Sequence, residues 1–364
     1  EGCGTRGRAP YDAVLTHGMT LTEKGEKMSK SLGNAVEPEA IIKQSGAEII
    51  RLWAATVDYS ADQHIGGTVL QTVTDSYRKL RNTVRYLLGA LVGFDEAERL
   101  SLDQMPPLEK FVLHRLWELD RDVRKAYGEY RFQDVVRPVL EFCSNDLSAL
   151  YFDIRKDSLY CDRPDAVRRR AARTVMHEVF MRLTAWLAPL TPFTMEEAWS
   201  TRFPDGGSNC ARVIPETPGE WRSEDSAFLW RRHSEVRSAI TGALEVARAA
   251  KLIGSSLEAW PTVHLDRSAT SYSESADPRS WFANDGEAAD FFIVSGIEFK
   301  DGEGPDDAFR HSDASFVSVT VARSPHQKCA RSWRRVPDVG SDPEYPDLSA
   351  RDADAVRWCD ARRG

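Results

Sequence analysis

Apolar residues recur every three or four positions over much of this chain, which is the spacing of one face of an α-helix. Several such stripes follow one another, separated by polar or Gly/Pro-containing segments; they run through residues 69–91, 108–127, 136–154, 175–190 and 225–252. Repeated amphipathic segments of this length predict a helical bundle over roughly residues 70–200. The last segment predicts one long helix that stops at Gly254.

The first 60 residues follow a different pattern. Residues 13–15 are apolar and predict the end of a buried strand. Pro38 and Gly46 bracket a short helical segment, because proline favours the first position of a helix and glycine the position after the last. A polar loop lies between these two elements, bounded by Gly25 and Gly33.

The end of the chain also departs from the helical period. Residues 261–266, 291–294 and 316–321 alternate or cluster as short strands do. Further upstream, Thr194 and Glu197 have the spacing of a capping box and predict the start of a short helix. The whole pattern predicts a mainly α chain that ends in a small α+β region after residue 255.

Composition narrows the class of protein. Hydrophobic residues make up 41% of the chain and charged residues 29%, as in a globular protein. No apolar run reaches the ~18 residues of a membrane-spanning helix, so we expect no membrane partner. The six cysteines form no Cys-x-x-Cys pair, which favours a reducing, cytoplasmic compartment. Because the chain begins with Glu1 and not Met, we expect its natural start to lie upstream.

The polar loop carries the most informative motif, Lys27-Met28-Ser29-Lys30-Ser31. Two ammonium groups among small hydroxyl residues suit a polyphosphate, because they neutralise its charge while hydroxyl and backbone N–H groups donate hydrogen bonds. The flanking glycines permit a loop that closes over a nucleotide and opens again. Taken alone, Lys-x-x-Lys on a surface loop is most often solvated charge.

With Leu32-Gly33-Asn34 after it, this pentapeptide resembles the KMSKS signature loop of class I aminoacyl-tRNA synthetases. The similarity to isoleucyl members extends over roughly residues 1–260. It includes Val14-Leu15-Thr16-His17-Gly18, Arg51-Leu52-Trp53, Asp58-Tyr59-Ser60, Tyr130-Arg131-Phe132, Asn145-Asp146-Leu147-Ser148, Leu159-Tyr160-Cys161-Asp162 and Trp186-Leu187-Ala188-Pro189.

The resemblance implies a fold and an activity. It implies the remnant of a Rossmann-type catalytic core over residues 1–67, an anticodon-binding helical bundle over 68–222, and a long helix with a small α+β region over 223–364. Such enzymes use ATP and Mg²⁺ to activate an amino acid and then transfer it to tRNA. Carried over by position, residues Lys27 to Ser31 would bind ATP, with Lys27 and Lys30 as catalytic cations. We expect a monomer that binds isoleucine, ATP and the isoleucine tRNA.

The HIGH-type motif and the editing domain of the family do not occur in this sequence. We therefore expect the chain to be inactive alone, because half of a nucleotide site does not assemble the reacting groups.

Two alternatives to an isoleucyl enzyme stay open at this point. The first is a valyl or leucyl enzyme, because these share the KMSKS loop and a related helical domain. The second is a non-catalytic tRNA-binding module.

The sequence departs from the family near its C-terminus. Many isoleucyl enzymes end in a zinc knuckle of two Cys-x-x-Cys pairs. Here Cys329 is followed by Ser332, and Ser349 and Asp352 stand where the second pair would fall. Neutral hydroxyls are poor zinc ligands, so we expect no metal at this site.

The formal net charge of −8 means that any RNA contact has to come from a local basic face. Three basic clusters are candidates for contact with phosphates. They are Arg78, Arg81 and Arg85 on the first long helix, Arg121, Arg124 and Lys125 on the second, and Arg168, Arg169, Arg170 and Arg173 on a later one. Interspersed acidic residues leave open the alternative of ordinary solvated helix faces.

Overall fold

The computed structural model describes residues 2–266, 268 and 277–362. The chain forms two compact units. Unit 1 consists of Glu1–Leu88, Leu119–Ser144 and Phe180–Pro215, and unit 2 consists of Gly89–Glu118, Asn145–Val179 and Glu216–Gly364. The domain boundaries drawn from the sequence, after residues 67 and 222, stay a prediction.

Helices dominate the described residues, which confirms the mainly α prediction. Each apolar stripe falls on helical structure, with ends shifted by a few residues. The helices are α1 Gly2–Arg6, α2 Pro38–Ser45, α3 Ala47–Thr56, α4 Gly67–Ala90, α5 Pro107–Gly128, α6 Gln133–Glu141, α7 Phe152–Cys161, α8 Val167–Leu187, α9 Pro192–Arg202, α10 Glu224–Ala249, α11 Asp285–Phe292 and α12 Ala350–Asp360. A π-helical segment, Phe142–Tyr151, joins α6 to α7. None of these helices is long and apolar enough to cross a bilayer.

Unit 1 contains a two-stranded parallel sheet. Strand β1 (Thr20–Thr22) pairs with β2 (Gln63–Ile65), with Thr20 opposite Gln63. The strand predicted to end at residues 13–15 is wrong: this stretch has no regular structure, and Val14 and Leu15 are 67% and 53% exposed. Three apolar residues without alternation do not distinguish a strand from an extended surface segment.

Unit 2 contains a four-stranded sheet in the order β4-β3-β6-β5. Its strands are β3 Ala259–Leu265, β4 Glu298–Asp301, β5 Phe309–Arg310 and β6 Val317–Arg323. Alternate residues of β3 are buried, and α10 packs against β6. This confirms the α+β region and two of the three strands that the sequence predicts there.

The third predicted strand, residues 291–294, is wrong because Phe291 and Phe292 end helix α11. Asn284 caps that helix by accepting a hydrogen bond from the Glu287 N–H at 3.0 Å. The Glu287 carboxylate accepts one from the Ala283 N–H at 2.9 Å. An Asn followed three residues later by Glu is a helix-start signal that was available in the sequence.

Candidate functional site

The loop after β1 is shaped by backbone hydrogen bonds. The Gly25 N–H donates to the Thr22 carbonyl at 2.9 Å, and the Thr22 N–H donates to the Glu26 carbonyl at 2.9 Å. Gly25 has a φ of +81°, a conformation that glycine adopts without steric cost. The chain therefore reverses at Gly25 and brings Lys27 into a β-bridge with Leu21.

Asn34 ties the second half of the loop to the first. Its Oδ1 accepts a hydrogen bond from the Ser29 N–H at 2.8 Å, and its Nδ2 donates to the Lys27 carbonyl at 3.3 Å. Lys30 begins a single 3₁₀ turn, which Gly33 closes with a φ of +65°. The two lysines are thus carried on a backbone that Asn34 holds in place.

The side chains of this loop are available for binding. Lys27, Lys30 and Ser31 are exposed, while Met28 and Ser29 are half-buried. The Ser29 and Ser31 hydroxyls lie 2.7 Å apart. Neither lysine forms an ion pair with a described residue. Two unpaired ammonium groups beside two hydroxyls form a surface that can bind polyphosphate.

A cavity of about 560 Å³ lies in unit 1, and Thr20 of β1 contributes to its lining. Its lining includes His17, Thr20 and Tyr59, so sequence segments that are far apart in the chain meet here. Arg51 closes one side by donating to the carbonyls of Pro189 at 2.6 Å and Leu190 at 3.2 Å. A concave site of this volume with a few polar groups is the usual form of a small-molecule site.

The same cavity is lined by Gln63, which the sequence interpretation did not single out. Gln63 is buried, and its N–H donates to the Met19 carbonyl at 2.8 Å. No local sequence motif identifies Gln63 as a cavity residue, because its position in the cavity lining depends on the pairing of β1 with β2.

No group of three or more His, Cys, Asp or Glu side chains that could hold a metal ion is present among the described residues. The Cys329 region keeps one thiol of the four that a zinc knuckle uses, together with Ser332, Ser349 and Asp352.

The arginines of α4 remain on the surface of unit 1. Arg78 pairs with Asp75 at 3.2 Å, and its side chain is 67% exposed. Arg81 lies 3.5 Å from Glu197 and is 55% exposed. Arg85 is exposed and forms no ion pair with a described residue. Exposed pairs of this kind are weak, so these guanidinium groups can exchange a carboxylate for a phosphate.

The arginine cluster on α8 lies in a different environment within unit 2. Arg168 is only 21% exposed and makes a two-point contact with Asp162, with N···O distances of 2.8 and 2.9 Å. It also contacts Asp290. Arg169 donates to the Asp162 carbonyl at 3.5 Å. Arg168 therefore belongs to an internal ion-pair network. Arg168 and Arg169 lie in unit 2, whereas Arg78, Arg81 and Arg85 lie in unit 1.

Comparison with known proteins gives two matching family models. Residues 2–66 match the class I tRNA synthetases for I, L, M and V, and residues 109–264 match the anticodon-binding domain of tRNA ligases. A solved ternary complex of an Agrobacterium radiobacter K84 LeuRS with tRNA has a TM-score of 0.45 and 18% identity, over 57% of this chain and 24% of that one.

Curated relatives match over nearly the whole chain. The isoleucine–tRNA ligase of Caulobacter vibrioides is 58% identical over 366 residues, which is 100% of this chain and 36% of the relative. That of Brucella abortus is 51% identical over 98% of this chain and 36% of the relative. That of Agrobacterium fabrum is 49% identical with the same coverage, 98% and 36%. The chain thus spans about 36% of the length of these relatives.

The two family models confirm the resemblance to class I tRNA synthetases, and the curated relatives confirm the resemblance to isoleucyl enzymes. The chain therefore belongs to the isoleucine–tRNA ligase family of class I aminoacyl-tRNA synthetases.

Proposed function

We propose that this chain supplies the ATP-phosphate loop and the tRNA-binding helices of an isoleucine–tRNA ligase. The reaction is the ATP- and Mg²⁺-dependent activation of isoleucine, followed by its transfer to the isoleucine tRNA. The observation that carries the proposal is the loop itself, where Lys27 and Lys30 are exposed without an ionic partner among the described residues.

In this function Lys30 neutralises charge on the ATP phosphates, and Lys27 supports the loop. Ser29 and Ser31 donate hydrogen bonds from hydroxyls that already lie 2.7 Å apart. Met28 is half-buried. Because Asn34 fixes the backbone at Lys27 and Ser29, little order has to be gained when phosphate binds. Loss of one such charge donor typically lowers the rate about 100- to 1000-fold.

For the RNA-facing surface we favour the α4 arginines over the α8 cluster. Arg78, Arg81 and Arg85 are exposed. Moving Arg168 onto a phosphate would leave the mostly buried Asp162 without its two-point partner, which is costly. We further propose a monomer. We also propose a reducing, cytoplasmic compartment, because none of the six cysteines, all of them among the described residues, forms a disulfide.

The proposal is tested with a chimera in which this chain replaces the matching part of the Caulobacter vibrioides relative. We expect the chimera to charge the isoleucine tRNA, and Lys30→Ala to lower that rate about 100- to 1000-fold. Lys24→Ala is the matched control, because Lys24 is an exposed lysine of the same loop outside the motif. An unchanged rate in the Lys30→Ala chimera would overturn the role of the loop.

The chain by itself provides a second test. We expect no isoleucine-dependent ATP–pyrophosphate exchange from it, because the family's HIGH-type motif does not occur in this sequence. Robust exchange by the chain alone would contradict that expectation. Specific tRNA binding without a contribution of Lys30 to charging in the chimera would favour a non-catalytic binding module.

A further inference from the structure

Four residues near the C-terminus occupy the positions of the two Cys-x-x-Cys pairs of a zinc knuckle, and the structure brings them together. The Cys329 thiol donates a hydrogen bond to Asp352 Oδ2 at 2.9 Å. The Ser349 N–H donates to Cys329 Sγ at 3.4 Å, and Ser349 Oγ accepts from the Asp352 N–H at 3.4 Å. The Ser332 hydroxyl lies beside the same carboxylate and acts to lower the pKa of Asp352. All four side chains thus meet at one point.

These four side chains are buried. Cys329 and Asp352 are 0% exposed, Ser349 is 4% exposed and Ser332 is 9% exposed. Leu348 and Ala353 form a small apolar core with Cys329. Buried polar groups need partners, and here the four side chains provide them for one another.

The donor set does not fit zinc. Structural zinc sites use four thiolate or imidazole ligands, whereas this set has one thiol, one carboxylate and two neutral hydroxyls.

One buried negative charge remains, and Arg351 compensates it. Arg351 Nη2 lies 3.0 Å from Asp352 Oδ1. The same guanidinium donates to Asp157 on α7 at 3.2 Å and lies 3.5 Å from Asp162. Burial acts to raise the pKa of Asp352, but Arg351 and the hydrogen bonds of the cluster hold that pKa below its ordinary value. The carboxylate is therefore ionised, and Arg351 links it to α7.

We propose that Cys329, Ser332, Ser349 and Asp352 form a metal-free hydrogen-bonded cluster that replaces a zinc ion in fixing residues 325–360 against α7. The thiol proton and the carboxylate stand in for a metal–ligand bond. Arg351 carries the connection to Asp157, and Arg331 adds a second one by donating to the Tyr160 carbonyl at 2.9 Å.

The first test is metal content. The chain is produced in zinc-supplemented medium and its zinc is measured by plasma mass spectrometry, beside the triple variant Ser332→Cys/Ser349→Cys/Asp352→Cys. We expect well under one zinc per chain in the wild type. Because the four positions converge, we expect about one zinc per chain in the variant, which carries four thiols. A folded triple variant that takes up no zinc would overturn the claim that the positions converge as ligands do.

The second test is stability, which decides the matter even if the triple variant does not fold. We expect Cys329→Ala and Asp352→Asn each to lower the thermal unfolding midpoint by several degrees. We expect a chelator to leave the midpoint of the wild type unchanged. Cys359→Ala is the matched control, because Cys359 lies on α12 outside the cluster. About one zinc per wild-type chain, with a midpoint that falls when chelator removes it, would overturn the proposal. Equal unfolding midpoints for Cys329→Ala and Cys359→Ala would also overturn the proposal.

Discussion

The buried carboxylate of Glu48 caps helix α9 by accepting a hydrogen bond from the Thr194 N–H at 3.0 Å, across 146 residues of sequence. The Tyr77 hydroxyl donates to the same carboxylate at 3.1 Å. Within unit 1, one side chain of α3 therefore holds both α4 and the N-terminus of α9. A negative charge suits this place, because the first N–H groups of a helix have no partner within it.

Removal of this carboxylate should destabilise the chain. We expect Glu48→Ala to lower the free energy of unfolding by about 2–3 kcal/mol, since it leaves the buried Thr194 N–H without an acceptor and removes one partner of the Tyr77 hydroxyl. Urea unfolding measures the change. Glu39→Ala is the matched control, because Glu39 is exposed on α2 and should change the free energy by less than about 0.5 kcal/mol. Equal losses in the two variants would refute the capping role.

A second carboxylate is buried in unit 2. Glu109 accepts two hydrogen bonds from Arg155, at 2.7 and 2.6 Å, and the two side chains are 0% and 8% exposed. We expect Arg155→Met to cost about 3–5 kcal/mol, because it leaves a buried charge unpaired. The double variant Glu109→Leu/Arg155→Met should recover much of that loss. A double-mutant cycle by chemical unfolding measures the coupling, and strictly additive losses would contradict it.

The stability of unit 2 should depend on pH through His114. Its Nδ1 accepts a hydrogen bond from the Ser223 N–H at 3.0 Å, which requires an unprotonated Nδ1. Burial lowers the pKa of His114 below its ordinary value of 6.5, although Glu118 acts in the opposite direction. The unfolded chain therefore binds a proton more readily than the folded one. The contribution is complete above about pH 6.5 and declines as the pH falls below that value.

We expect the free energy of unfolding to fall between about pH 7 and pH 5, and to fall less in His114→Asn. Chemical unfolding at each pH gives the slope for both proteins. His64→Asn is the control, since the His64 side chain is exposed on β2. A slope that is the same in the wild type and in His114→Asn would show that this imidazole is not responsible.

The Asn34 contacts make a prediction about the loop. Asn34→Ala removes the acceptor of the Ser29 N–H and the donor to the Lys27 carbonyl. We expect the Ser29 amide to exchange its hydrogen several-fold faster, while amides of α4 keep their protection. Hydrogen exchange followed by NMR or mass spectrometry measures this. Unchanged exchange at Ser29 would mean that Asn34 does not order the loop.

Much of the helical structure could be predicted because the three-or-four spacing of apolar residues survives in every long helix. The start of α9 could not be predicted from the sequence. Thr194 and Glu197 looked like a capping box, but that prediction is wrong: the helix begins at Pro192, and Thr194 lies inside it. Its cap comes from Glu48, a tertiary partner that no local pattern contains.

The candidate site divides in the same way. The KMSKS loop is a contiguous motif, so Lys27 and Lys30 could be singled out from the sequence alone. The environment of Arg168 could not, because its partners Asp162 and Asp290 come from a preceding loop and from α11. A dense run of arginines has the same appearance in sequence whether it faces phosphate or internal carboxylates.

The most direct test of the account is binding of the wild-type chain to an isoleucine-tRNA transcript and to the same transcript with a changed anticodon, each over a series of salt concentrations. We predict that the natural transcript binds roughly tenfold more tightly or better, a difference of about 1.4 kcal/mol, and that its affinity falls steeply as salt rises. Equal affinity for the two transcripts at every salt concentration would contradict the assignment of these helices to tRNA recognition.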